Sequence, residues 1–316
     1  MDKECPELSV VIPVYNEEAN LPELLKRTLA ACDALNTTYE LVLVDDGSAD
    51  RSMRMIEAAA AEHPGKVVGV ILSANFGQHA AVTAGFESAL GKYVITMDAD
   101  LQNPPEEIHK ILEKLREGYD VVGSIRANRQ DTFFRRFASK IVNLMVRKLY
   151  RGKTMSDYGC MLRGYSRPVV NALLLCSEHD KFIPMLAMSF ARRVTEVTVK
   201  HAERNAGESK YDCWKLIALQ YDLLTGTSTF PLRMLTYMGF IIAALGILFG
   251  ITIFIMTRIM HDEWGQYGIF TMFSILFIFI GGQFVAMGLL GEYIGKIHLN
   301  ARHRPQYFIE RITGRN

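Results

Sequence analysis

Apolar and polar stretches alternate regularly over residues 8–122. Residues 8–14 are a short apolar run rich in β-branched side chains, the pattern of a strand buried on both faces. Pro22 sits early in a helical pattern that reaches Ala34, with Asn20 as its expected cap. A strand over 40–44 follows, then a helix capped by Ser48 or Asp50 that runs through Ala61, then a strand over 66–72. A helix over 79–90, a strand over 93–97, a helix opened by Pro104 and Pro105 and reaching Glu117, and a strand beginning at Val121 complete the series. This order predicts an α/β domain whose sheet is mostly parallel, with helices on its faces.

After residue 230 the pattern changes. Residues 235–257 contain no charged side chain, and neither do residues 269–290. Each run is long enough to cross ~30 Å of hydrocarbon, so two transmembrane helices are predicted. Gly281, Gly282, Gly288 and Gly291 give the second span points where another helix can approach closely. The expected organisation is a cytosolic domain over 1–230 and a membrane domain over 231–316 that includes a C-terminal tail. Lys/Arg bias orients the spans. The intervening loop, 258–268, carries one Arg and two acids, whereas Lys296, Arg302, Arg304, Arg311 and Arg315 follow the second span. Both chain ends are therefore expected on the cytoplasmic side of a bacterial inner membrane.

Composition sharpens this division. The net charge of +1 combines 28 Lys+Arg against 30 Asp+Glu in the first 230 residues with 7 against 4 in the remainder. The mean hydropathy of +0.10 is likewise an average of two unlike materials. A hydrophobic fraction of 49% excludes a disordered chain, and the balanced charge argues against a general nucleic-acid binder. Five scattered cysteines without a CxxC pair argue against a disulfide framework or a thiolate zinc site.

In open α/β sheets, ligands bind beyond the carboxyl ends of the strands. The polar clusters of this half fall there: Tyr15-Asn16-Glu17, Asp45-Asp46-Gly47-Ser48, Asn75-Phe76-Gly77, Asp98-Ala99-Asp100 and Ser124-Ile125-Arg126. Asp98 and Asp100, one residue apart after a strand, suit a hard divalent cation such as Mg²⁺ or Mn²⁺. Such a cation would neutralise a diphosphate; the plainer alternative is a capping Asp in a loop. Asp45 and Asp46 suit hydrogen bonds from a base or ribose, while Ser48 or Asp50 also suits capping of the next helix. No G-x-G-x-x-G follows the first strand and no G-x-x-x-x-G-K-[ST] occurs, which argues against dinucleotide and P-loop sites.

Three motifs in order carry a resemblance: Ser9 through Glu17, Asp45-Asp46-Gly47-Ser48, and Asp98-Ala99-Asp100-Leu101-Gln102. Together they resemble family 2 glycosyltransferases of the Rossmann-like GT-A fold. With two C-terminal spans, the chain is most similar to the polyprenyl-phosphate glycosyltransferases of that family. Asn75 through His79, Asp157 through Arg163, His201 through Arg204, Gly207 through Tyr211 and Met287 through Gly295 narrow the resemblance to the pentose-transferring branch. A sibling moving glucose or mannose is the alternative.

The resemblance implies an inverting, metal-dependent transfer of a sugar from a UDP donor to undecaprenyl phosphate, by a protein that forms a homo-oligomer. It implies that Asp98, Asp100 and Gln102 hold the metal and diphosphate, with Asp100 catalytic. Pro13, Tyr15, Glu17, Asp46 and Asp98 are expected around the nucleotide-sugar. Asp157 is expected to orient the acceptor or to assist as a base.

Residues 133–153 carry seven Lys/Arg and no acid, with Phe133, Phe134, Phe137, Ile141, Leu144, Met145 and Leu149 at helical spacing between them. That is the pattern of a basic amphipathic helix in a membrane interface, the alternative being a charged helix packed on the domain. Residues 210–224 are a second candidate. Arg126, Arg135 and Ser139 match positions that contact lipid phosphate in related transferases, and Arg135 and Ser139 share one helix face. Arg129 and Arg136 are weaker candidates. Arg204 and Lys210 are expected to close over the diphosphate or acceptor phosphate. A non-catalytic scaffold would have lost the metal motif, which is intact. A processive synthase would need more spans and a QxxRW-type motif, which is absent.

Overall fold

The structure, a computed structural model of the chain, describes residues 5–127, 155–176, 182–200, 230–259, 268–302 and 304–315. The expected interface helices, and with them Arg129, Arg135, Arg136, Ser139, Arg204 and Lys210, lie outside the described residues. The alternation read from the sequence is present: β1 (Leu8–Val14), α1 (Leu21–Asp33), β2 (Tyr39–Asp45), α2 (Ser52–Glu62), β3 (Val67–Leu72), α3 (Gln78–Ser88) and β4 (Tyr93–Thr96). A 3₁₀ turn (Pro105–Glu107) leads into α4 (Ile108–Arg116), then β5 (Val121–Arg126), β6 (Arg163–Ser166), α5 (Arg167–Leu175), α6 (Ile183–Phe190) and β7 (Val194–Val199). Two long helices, α7 (Phe230–Ile259) and α8 (Gly268–Ala301), precede β8 (Ile309–Thr313).

The eight strands form one sheet in the order β7-β5-β6-β4-β1-β2-β3-β8. β1 pairs in parallel with β2 on one side and with β4 on the other. The chain thus winds outward from β1 in both directions, and the winding reverses between β1 and β4, beyond whose carboxyl ends such sheets bind ligands. Every residue of β1, β2, β3 and β4 is buried, which explains why these strands read as continuous apolar runs. Two antiparallel strands were not legible. β6, Arg-Gly-Tyr-Ser, inserts between β4 and β5, and only its Gly164 makes room for Ile111 and Leu115 of α4.

The other is β8, which corrects the expected domain boundary. The chain divides into one unit of residues 1–208 with 305–316 and another of residues 209–304. The tail placed with the membrane segment by sequence instead pairs antiparallel with β3, Val70 opposite Ile312. Tyr307 donates to Glu87 of α3 at 2.7 Å, and Arg311 pairs with Glu57 of α2. Its charges hid the strand, yet charged side chains are what an exposed sheet edge favours. A chain ending at Arg304 is expected to lose about 2 kcal/mol, through lost ladder bonds and cross-strand pairs, and to bare β3 as an edge. Thermal unfolding should shift down by roughly 4–8 °C, and an unchanged midpoint would refute the contribution.

In the second unit, α7 and α8 are 30 and 34 residues long, and each contains a stretch apolar enough to cross a membrane. Phe240, Ile247, Ile278 and Val285 are all more than half exposed, so these helices are not the core of a soluble domain. Among the described residues, a Cβ at Gly281, Gly282, Gly288 or Gly291 would meet nothing within 4 Å. A Cβ added at Gly246 of α7 would lie 3.4 Å from Phe279 Cζ of α8, an ordinary van der Waals contact.

Candidate active site

The strand ends are tied together by side chains that accept backbone N–H groups. After β1, Tyr15 is the first exposed side chain (49%), whereas Pro13 is buried within the strand. Asn16 adopts φ +54°, a left-handed conformation that Asn tolerates better than most residues. Its N–H donates to Ser48 Oγ at 3.0 Å and its Oδ1 accepts Ala49 N–H at 2.8 Å, locking the β1 and β2 ends to each other. Glu17 is held by Ser52 Oγ through its N–H and by Asn20 through its carboxylate. Asn20 therefore does not cap α1 with its side chain. Asp50 accepts Ser52 N–H at 2.9 Å and so serves the start of α2.

Asp46 is buried, and each carboxylate oxygen takes one amide: Phe76 N–H at 2.8 Å and Gly77 N–H at 2.9 Å. Burial pushes its carboxyl above the ordinary range, and the two amides oppose that. Asp46 thus shapes the loop after β3. That loop presents Phe76, itself partly exposed, and leads into α3. The first side chain of α3 reaches the next strand end, where Gln78 Nε2 donates to Asp98 Oδ1 at 2.8 Å. His79 follows, edge-on to Phe182 with ring centroids 5.6 Å apart. Burial, reinforced by the charge of Arg163, pushes its imidazole below the ordinary value, so it is neutral at pH 7.

Asp98 and Asp100 are both partly exposed and flank buried Ala99. Leu101 sits at φ +60° with its side chain buried, a strained conformation for a branched apolar residue. The turn it makes brings Gln102 N–H back to Asp100 Oδ1 at 3.1 Å. Two carboxylates and a carboxamide then stand within five consecutive residues at the point where the winding reverses. Among the described residues no cluster combines three His, Cys, Asp or Glu side chains, and this turn offers oxygen donors from two carboxylates and one carboxamide. Hard oxygen donors of this kind suit Mg²⁺ or Mn²⁺.

Beyond β5, Arg126 forms a two-pronged ion pair with Asp157: Nε to Oδ2 at 2.6 Å and Nη2 to Oδ1 at 3.0 Å. Gly159 N–H also donates to Oδ1, at 3.0 Å. Arg163, almost fully buried, donates to the main-chain oxygen of Asp157. The structure thus ties the end of β1 to that of β2 through Asn16 and Ser48, the end of β2 to the loop after β3 through Asp46, that loop to Asp98 through Gln78, and Asp157 to Arg126. Gln78, Gly159 and Arg163 were not singled out as site residues, because their residue types alone do not show that Gln78 meets Asp98 or that Gly159 and Arg163 meet Asp157.

The profile of glycosyl transferase family 2 matches residues 9–174. An undecaprenyl-phosphate 4-deoxy-4-formamido-L-arabinose transferase from Serratia proteamaculans is 54% identical over 97% of this chain and 94% of its own length. A protein of the same name from Shewanella sediminis is 56% identical over 96% of this chain and 92% of its own. A mycobacterial protein of known structure aligns at 15% identity with a TM-score of 0.51, over 70% of this chain and 73% of its own, a likeness of fold alone.

Proposed function

The chain belongs to glycosyl transferase family 2, and from that premise we propose that it moves 4-deoxy-4-formamido-L-arabinose from a UDP donor to undecaprenyl phosphate. The lipid-linked sugar would serve lipid A modification and, through it, polymyxin resistance. The observation that carries an active transferase is the Asp98–Gln102 turn at the switch point, braced by Gln78.

The acceptor phosphate, with a second pKa of ~6, is already largely ionised at neutral pH. Its oxygen attacks the anomeric carbon as the bond to the UDP oxygen breaks, which inverts that centre and releases UDP. Positioning and charge stabilisation are then the protein's main tasks. Asp98, Asp100 and Gln102 would hold a divalent cation, which when bound supplies charge neutralisation to the leaving diphosphate. Tyr15 and Glu17 border the nucleoside, with Pro13 and Asp46 supporting them from below. Arg126, Arg135, Ser139, Arg204 and Lys210 contact the acceptor phosphate; arginine suits it through paired N–H bonds.

We place the catalytic unit and both chain ends in the cytoplasm, with two helices crossing the inner membrane. The Lys/Arg bias supports this, and so does β8: the chain leaves the sheet, runs through two apolar helices and returns to the same sheet. Homo-oligomer formation belongs to the same proposal, supported by the small residues Gly281, Gly282, Gly288 and Gly291 of the second span, which permit close helix approach.

Thin-layer analysis of labelled undecaprenyl phosphate incubated with a panel of UDP-sugars tests the reading. Product with the formamido-arabinose donor is expected; product only with glucose or mannose donors would favour the sibling activity. Arg135→Ala is expected to raise the acceptor KM about tenfold while leaving the donor KM unchanged, as loss of a charge-assisted hydrogen bond implies. The opposite split would remove Arg135 from the lipid site.

A further inference from the structure

We infer that Asp157 is a positioning residue that acts through Arg126, and not the proton acceptor of the reaction. The inference rests on the undecaprenyl phosphate acceptor proposed above. A general base must present an oxygen to the proton it removes. The Asp157 side chain is 1% exposed, and its two oxygens together accept three N–H groups, two from Arg126 and one from Gly159. An ionised phosphate, moreover, has no proton that must be taken. What Asp157 does is hold one edge of the Arg126 guanidinium.

The surroundings are built for that hold. Arg126 ends β5 and its side chain remains 26% exposed, whereas that of Asp157 is 1% exposed. The Asp157 segment is itself anchored. Ser156 donates its N–H and its hydroxyl to Glu196 of β7, at 2.6 and 2.8 Å. Arg163 grips the Asp157 carbonyl from the interior at 3.0 Å. Gly159 supplies the space: a Cβ there would lie 3.3 Å from Arg126 Nη2 and 3.5 Å from Asp157 Oδ1. A two-pronged pair fixes the plane of a guanidinium as well as its position. An arginine so fixed meets the acceptor phosphate without first losing side-chain freedom, which is how preorganisation adds affinity.

The test uses the full-length chain in membranes or detergent, with Asp157→Asn, Arg126→Gln, their combination, and Gly159→Ala. Asp157→Asn should raise the acceptor KM about tenfold, with the donor KM and the shape of the pH–rate profile unchanged. Combining it with Arg126→Gln should cost no more than the worse single change, because both remove one interaction. Gly159→Ala should raise the acceptor KM alone, by a smaller factor. The inference is overturned if Asp157→Asn lowers kcat at saturating acceptor, leaves the acceptor KM in place and abolishes a limb of the pH profile. It is equally overturned if the double variant shows the full product of both losses. Should Asp157→Asn fail to fold, Gly159→Ala decides, and an unchanged acceptor KM sinks the idea. A wild-type chain that ignores undecaprenyl phosphate would overturn the acceptor reading, and this inference with it, before any variant is assayed.

Discussion

Asp100→Asn is expected to lower turnover by roughly a thousandfold or more, in line with the loss of a principal electrostatic group in a transfer site. The substitution keeps the shape of the side chain. Its carboxamide oxygen can still accept the Gln102 N–H that Asp100 Oδ1 accepts now, so the Leu101 turn is retained. What disappears is one negative charge and one hard oxygen donor at the strand end. With a single carboxylate left, Asp98, the site loses affinity for a divalent cation and the charge on departing UDP goes uncompensated. The measurement is turnover at saturating metal and donor, beside the yield of membrane-inserted protein. Insertion should match the wild type because the change lies in the first unit and leaves the sequences of α7 and α8 untouched. Full activity at saturating metal would remove Asp100 from the metal site.

Gly47→Ala is expected to destabilise the catalytic unit by about 3 kcal/mol and to raise the donor KM at least about tenfold. Gly47 lies at φ +68°, where an alanine carries a backbone cost of about 1–2 kcal/mol. Its Cβ would also stand 2.4 Å from the Ala74 carbonyl carbon and 2.6 Å from Asn75 N, both main-chain atoms that cannot rotate aside. The loop after β3 would have to retreat. Retreat pulls Phe76 and Gly77 from Asp46 and withdraws Gln78 from Asp98, so the damage passes from the β2 end to the metal motif. Gly65→Ala separates the two causes: Gly65 has φ +79° but nothing within 4 Å, so it incurs the backbone cost alone. Thermal unfolding should therefore fall by roughly 6–12 °C for Gly47→Ala and clearly less for Gly65→Ala. Equal shifts would show that close packing on Ala74 contributes nothing.

The contrast between β1 and β6 shows how much of the fold the sequence displays. β1 is buried on both faces, so its whole length is apolar and β-branched. β6 is four residues long and contains a buried arginine and a glycine, so no periodicity marks it. Its place is set by pairing with β4 and β5, across 73 positions at Tyr93–Ser166 and 44 at Val121–Tyr165, and by the fit of Gly164 against α4. β8 was hidden for a related reason: the two long apolar helices that precede it direct attention to the membrane, while its partner β3 lies near the other end of the chain.

The candidate site divides the same way. Asp98, Asp100 and Gln102 were legible because their spacing is local and follows an apolar strand, and the chemistry of oxygen donors then follows from residue type. The two spans and the +3 charge of the last 86 residues were likewise local matters of length and composition. Tertiary structure alone decided what the neighbouring carboxylates do. Asp46 is expected at the nucleoside, and the structure adds that it is buried and accepts two amides; Asp157 is expected to orient the acceptor or to assist as a base, and the structure adds its pair with Arg126. A sequence records that a carboxylate is present, whereas burial and the approach of partners 30 or so residues away determine which of its oxygens remain accessible, and these exist only once the strand ends have been brought together.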